Sequence, residues 1–153
     1  MKLVKHSRKG FQYQLNEEEA HTLRILINQF PIGKPPLVKI SKTDSKVAER
    51  EKLLNESLAG HRKELKSMAG SLVNEDKFKG PKQHLLFHVN MQERETLLQV
   101  LNDIRIECWR SLGEPENLDM EVFELPKEKV KHYHFMHLAG YFEHHFLNLG
   151  DLD

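Results

Sequence analysis

Five of the chain's ten histidines fall within fifteen residues, in the stretch HYHFMHLAGYFEHHF from His132 to Phe146. Imidazole is a common metal ligand, and two imidazoles three or four residues apart on a helix can share one ion. On a helical projection His134, His137, Tyr141 and His145 form a ladder at spacings of three, four and four. A divalent metal held by His134, His137 and His145 is therefore one reading of this stretch. It needs a further ligand from another element, because Glu143 projects to a different side. There is no His-Glu-x-x-His, no paired cysteines, and no Glu-x-x-His on this helix. The plainer reading is an amphipathic helix whose apolar stripe is Phe135, Leu138, Ala139, Phe142, Phe146 and Leu149, about 100° wide. The histidines then edge the core or face another protein, in a contact that acid would weaken as imidazolium charges repel. No cofactor is expected; a divalent metal is the alternative.

A second group of polar residues lies in NMQERETLLQVLNDIRIECWRSLG. Asn90 is placed to cap a helix, with Glu93 three residues on, and Gly113 sits where helices end. Leu97, Leu101, Ile104, Cys108 and Leu112 make its apolar stripe. A thiol in the middle of that stripe is inert, because apolar burial raises its pKa. Arg105 falls beside Leu101 and Leu112 on the projection, and Asn102 beside Leu98 and Trp109, while Asp103 points to the opposite side. A guanidinium at the border of a core needs a carboxylate or carbonyl partner. Glu56 or Glu64 is the expected source. Asn102, Asp103, Arg105 and Trp109 thus form a candidate polar cluster, either a structural network between helices or the lining of a ligand pocket.

The segment LNDIRIECWRSLG, Leu101 to Gly113, resembles the signature helix of an uncharacterised bacterial domain-of-unknown-function family. Its members carry Leu-Asn-Asp-Leu-Arg followed by Arg-Leu-Gly. Leu101, Asn102, Asp103, Arg105, Leu112 and Gly113 match, while Ser111 replaces the second arginine and Arg110 stands beside it. LNEEEAHTLRILINQF and LNESLAGHRKEL fall where that family has its first helix and its long polar helix, and the aromatic C-terminal helix is also in place. The resemblance implies no particular activity, substrate or cofactor. Members are often encoded beside an adaptor of the Clp protease, which implies a part in protein quality control or regulation.

The elements that must position these residues are mostly helical. Phe11, Tyr13 and Leu15 alternate as in a short strand. Asn16, with Glu17, Glu18 and Glu19, then opens a helix carrying Ala20, Leu23, Ile27 and Phe30 on one face. Pro31 ends it, and PIGKPPLVKISKTD is a long connection. The longest helix, about 42 Å, carries Val47, Leu54, Leu58, Leu65, Met68 and Leu72 at near-heptad spacing. That stripe suits either an intrachain bundle or a coiled-coil dimer. HLLFHV reads as a strand over 85–89, which sets His84 and His88 ~13 Å apart. A third strand is expected over 121–125, and Pro126 opens the last helix.

The order β-α-α-β-α-β-α predicts an α+β fold, mainly helical, with about four helices and a small sheet in a single domain over 1–153. Its expected core includes Leu23, Phe30, Leu54, Leu58, Leu97, Leu101, Ile104, Cys108, Phe135, Leu138, Phe142 and Phe146. The single cysteine excludes an internal disulfide, no apolar run is long enough to span a membrane, and no signal peptide opens the chain, so a cytoplasmic location is expected. Net charge is zero but uneven: residues 1–82 carry 17 Lys and Arg against 10 Asp and Glu, and residues 83–153 carry 6 against 13. Two halves that neutralise each other account for this most simply. Nucleic acid is not an expected partner, since the basic segment lies beside no aromatic platform or known recognition module. No glycine-rich phosphate loop or nucleophile motif is present, so an enzyme is not favoured. A protein-interaction or regulatory module with a protein partner or a homo-oligomeric state ranks first, metal binding second and nucleic-acid binding third.

Overall fold

The computed structural model describes residues 1–33, 39, 45–117 and 124–149. Its elements are β1 (Lys2–Ser7), β2 (Gly10–Leu15), α1 (Glu17–Asn28), α2 (Ser45–Leu72), β3 (Phe78–Lys79), β4 (Leu85–Val89), α3 (Met91–Ser111) and α4 (Lys127–Leu147). The fold is α+β, with four long helices and a small antiparallel sheet in the order β1-β2-β4-β3. The expected strands at 11–15 and 85–89 pair directly, Phe11 opposite Val89 and Leu15 opposite Leu85. β1 and β3 were not foreseen. Residues 121–123 of the expected third strand lie outside the described residues, as do 34–38 and 40–44 of the long connection. Glu124 and Leu125 are not in a strand.

Local signals start the helices where they should. Asn16 Oδ1 accepts from the Glu19 N–H at 2.8 Å, satisfying a donor that the first turn of α1 leaves open. Asn90 and Glu93 form a reciprocal capping box at the start of α3, both bonds at 2.8 Å. The hairpin β1–β2 turns through Gly10 at φ +129°, where a Cβ would meet the Val89 carbonyl at 2.3 Å, so both the angle and the space require glycine.

The helices cover one face of the sheet. Leu3, Phe11, Tyr13, Leu15, Phe87 and Val89 point into the core against Leu23, Ile27, Leu97, Leu101, Phe142 and Phe146. Tyr13 and Phe146 meet edge to face at 5.0 Å, and Phe78 stacks on Phe87 at 4.6 Å. Arg94 ties the layers together. It donates to the Phe146 carbonyl at 2.9 and 2.6 Å and to the Tyr13 hydroxyl at 3.2 Å, and it lies 4.4 Å over the Phe11 ring. A guanidinium there satisfies a carbonyl at the C-terminal end of α4, where the helix dipole favours positive charge.

Three expectations of packing change. The stripe of α2 exists, but only Leu65 and Ala69 of that helix are buried. Leu54 and Leu58 share their face and are 41% and 42% exposed, because the helix outruns the body it packs on. On α4 the buried residues are Met136, Ala139, Phe142, Glu143 and Phe146; Phe135 and Leu138 are half-buried at the edge, and Leu149 is exposed. The buried face is thus rotated toward Met136 and Glu143. The carboxylate that receives Arg105 is Glu143 of α4, not Glu56 or Glu64 of α2.

Candidate groove between α3 and α4

The groove is built by two helices packed side by side. Residues spaced three and four apart share a helix face, which brings Arg105, Ile106 and Trp109 of α3 opposite Met136, His137, Gly140 and Tyr141 of α4. They enclose about 590 Å³ on an open, mainly apolar surface. Arg105 Nη1 lies 3.2 Å from Glu143 Oε2, and its Nη2 donates to Asn102 Oδ1 at 3.2 Å. Glu143 is almost wholly buried, and its Oε1 has no hydrogen-bond partner among the described residues. Burial pushes its carboxyl above the ordinary value, and Arg105 pulls it partly back.

Trp109 Nε1 donates to the Pro115 carbonyl at 3.1 Å, which holds the indole against the groove wall. Gly140 has no heavy atom within 4 Å of where a Cβ would stand. The helix therefore keeps open space at a position that alanine could fill.

The four candidate polar residues of α3 do not form one cluster. Asn102 and Arg105 stand together beside α4, and Trp109 joins Arg105 on the groove. Asp103 turns to α2, where burial raises its carboxyl against the opposing pull of Arg62 and His61. Glu107, which the sequence did not single out, makes the main tie to α2. It pairs with Arg62 and accepts the Ile32 N–H at 2.7 Å. Burial raises its carboxyl too.

The histidines are distributed along α4 in contact with aromatic rings. His134 and His137 meet Tyr133 edge to face at 5.7 and 4.4 Å, and His145 meets Tyr141 at 4.4 Å. Among the described residues no three His, Cys, Asp or Glu side chains come together as a metal ion requires. The further ligand that His134, His137 and His145 would need is not supplied there. Of the ladder, only His137 and Tyr141 line the groove.

Sequence reasoning missed Ile106, Met136, Gly140 and Glu143. A signal was present: Met136, Ala139, Glu143 and Phe146 recur at spacings of three, four and three. The more hydrophobic Phe135–Leu138 row masked it, since periodicity alone ranks Phe and Leu above Met and Glu as core residues.

The fold and groove define a small α+β protein with a ligand-sized apolar cleft between its two last helices. No nucleophile paired with a base lines that cleft. Comparison with family models, with curated proteins and with solved structures found no match to this chain. No described helix is long and apolar enough to cross a membrane.

Proposed function

We propose that the protein is a protein-binding module whose α3–α4 groove receives an apolar anchor from a partner chain. The observation that carries this is the convergence of Arg105 and Trp109 from α3 with His137 and Tyr141 from α4 on one apolar surface with a vacant glycine position. Trp, Tyr and Arg are the side chains that dominate binding energy at interfaces, and Met adapts its shape to what it meets. The groove is open along its length. A small ligand would stay largely in water there, whereas a side chain projecting from a partner brings its own cover. Arg105 is half exposed beyond its bond to Glu143, so a carboxylate next to the partner's anchor gains a charge-assisted hydrogen bond. The partner is thus a segment with one or two large apolar side chains and an adjacent acid.

Trp109 is the chain's only tryptophan, so its emission reports occupancy. Peptides selected from a displayed random library are expected to share that apolar–acidic pattern and to change Trp109 emission on titration. They should bind at least about tenfold more weakly to Gly140→Leu and to Arg105→Ala, a loss of ~1.4 kcal/mol. Failure to select any binder, or binders indifferent to Gly140→Leu, would show that the groove is not the docking site.

A second observation favours self-association as an additional property. Leu54 and Leu58 extend the buried stripe of α2 beyond the body of the fold, and Leu53 beside them is 64% exposed. Two copies packing α2 antiparallel set Leu54 of each against Leu58 of the other, a self-complementary contact. Sedimentation at about 100 µM is expected to show a dimer that Leu54→Lys with Leu58→Lys abolishes. A monomer for the wild type at that concentration removes this reading.

A further inference from the structure

The sheet has a second face, and no described helix lies on it. Alternation sends Gln12 and Gln14 of β2, Leu86 and His88 of β4 and Lys79 of β3 to that side, and pairing across the register shift of β1 sets Lys2 and Lys5 beside Gln14 and Gln12. Register sets them in rows. Lys2, Gln14, Leu86 and Lys79 cross the sheet in one row, and Lys5, Gln12 and His88 in the next. His84 stands beside Gln14 and hydrogen-bonds to its amide. The four strands contain no aspartate or glutamate. Acids flank the strands and several are already engaged: Glu17 lies 3.5 Å from Lys82, Glu19 pairs with the Met1 amino group, Glu93 caps the start of α3, and Glu75 and Asp76 stand in the 3-10 turn before β3.

We infer that this open sheet face binds single-stranded nucleic acid. Lysines at both edges supply charge for a phosphodiester backbone, and counterion release then drives binding. Between them lie the amides of Gln12 and Gln14 and the imidazole of His88, with His84 beside Gln14. Glutamine amides both donate and accept, as base edges do, and imidazole planes can stack on bases. The area, four strands at ~4.8 Å spacing, suits roughly 4 nucleotides, the lower end for single-strand binding surfaces. An acidic protein partner fits less well, because a stable protein interface has an apolar centre and Leu86 is the one apolar side chain that the pairing register sends to this face. Lysine on the edge strand β1 also discourages edge-to-edge pairing. That role does not account for Gln12, Gln14, His84 and His88 on the two central strands or for the lack of any acid.

The sequence ranks this activity last because no aromatic platform or known recognition module lies beside the basic segment, and the lysines and imidazoles of this face come from two separate segments, 1–15 and 77–89. Folding places β4 directly beside β2 and so merges them into one surface.

The test is fluorescence anisotropy with a labelled mixed-sequence 12-nucleotide strand, as RNA and as DNA, across a salt series. Three phosphate contacts at ~0.7 each give a slope of about −2 in log K against log salt, or about 15-fold weaker binding from 50 to 200 mM. Lys5→Glu with Lys79→Glu should weaken binding at least about tenfold, with Lys5→Gln and Lys79→Gln as a milder pair if the first melts early. Lys52→Glu with Lys63→Glu makes the same charge change on α2 and should stay within about twofold. Binding of both strands marks the phosphodiester as the shared determinant, and binding of RNA alone marks the 2′-hydroxyl as well; either supports the inference. It is overturned by no binding at about 100 µM protein and low salt, by equal losses in both double variants, or by polyglutamate displacing the strand as well as unlabelled oligonucleotide does.

Discussion

Arg105 of α3 and Glu143 of α4 meet at 3.2 Å, the guanidinium half exposed and the carboxylate almost wholly buried. The pair joins the two helices at the wall of the groove, and it makes the stability of that junction depend on protons.

Glu143 titrates above its ordinary 4.5 in the folded chain because burial disfavours the anion. Between the unfolded and the raised folded value, the native state binds more protons than the unfolded one. The Glu143 contribution to stability therefore falls as pH rises through that window and is largest below 4.5. Asp103 and Glu107 act in the same direction. His132, lowered by burial and by Lys131 and Lys129, acts oppositely: its contribution is lost as pH falls through its ordinary 6.5. The difference between wild type and Glu143→Gln cancels the other groups. Thermal melts are expected to show Glu143→Gln gaining on wild type as pH is raised from about 4 to 7. A constant difference across that range would mean that Glu143 is not titrating where its burial places it.

Gly140→Ala should stabilise the protein. The residue is helical, nothing lies within 4 Å of the added Cβ, and the glycine leaves the unfolded chain more conformational freedom. The expected gain is about 0.5–1 kcal/mol, or a few degrees in Tm. A loss of stability would show that the groove closes against α4 at this point.

Arg94→Ala should be among the most damaging single changes. It removes the charged donor to the Phe146 carbonyl, leaving that carbonyl only the Tyr13 hydroxyl at 3.0 Å, removes a partner of the Tyr13 hydroxyl and uncovers Phe11. Loss of a charged donor to a partly buried acceptor costs about 2–3 kcal/mol. Urea denaturation measures it, and hydrogen exchange should show faster exchange in the last turn of α4. A change under about 0.5 kcal/mol, the range of ordinary surface substitutions, would contradict the role given to this residue.

Cys108 should be silent to thiol reagents in the native state. Burial, and then the charge of Glu107, push its pKa up to about 12. Reaction with a disulfide reagent is expected to run at least about a hundredfold below the rate for the denatured chain, because the thiolate is the reactive form. Comparable native and denatured rates would place the thiol at the surface.

The readable parts of the fold were those decided within a few residues. The caps at Asn16 and Asn90 are short-range hydrogen bonds, and each is found where the sequence placed it. The stripe Leu97, Leu101, Ile104, Cys108 and Leu112 is buried throughout, because one strong period leaves α3 only one face to hide. β1 was unreadable for an equally local reason. It is an edge strand with only Leu3 buried, and a register shift between Leu3 and Lys5 breaks its alternation.

By itself the sequence determined the α+β class, the start of two helices, the burial of the cysteine and the need of Arg105 for a carboxylate or carbonyl partner. The tertiary structure alone decided that Glu143 is that carboxylate, that half of the α2 stripe stays open, and that Arg105, Trp109, His137 and Tyr141 share one groove. It also brought Lys2 and Lys5 of β1, Lys79 of β3 and His88 of β4 onto one sheet face. The physical reason is common to all four. Periodicity fixes which residues share a face, but which faces meet depends on burial summed over the whole core, and no single segment carries that sum.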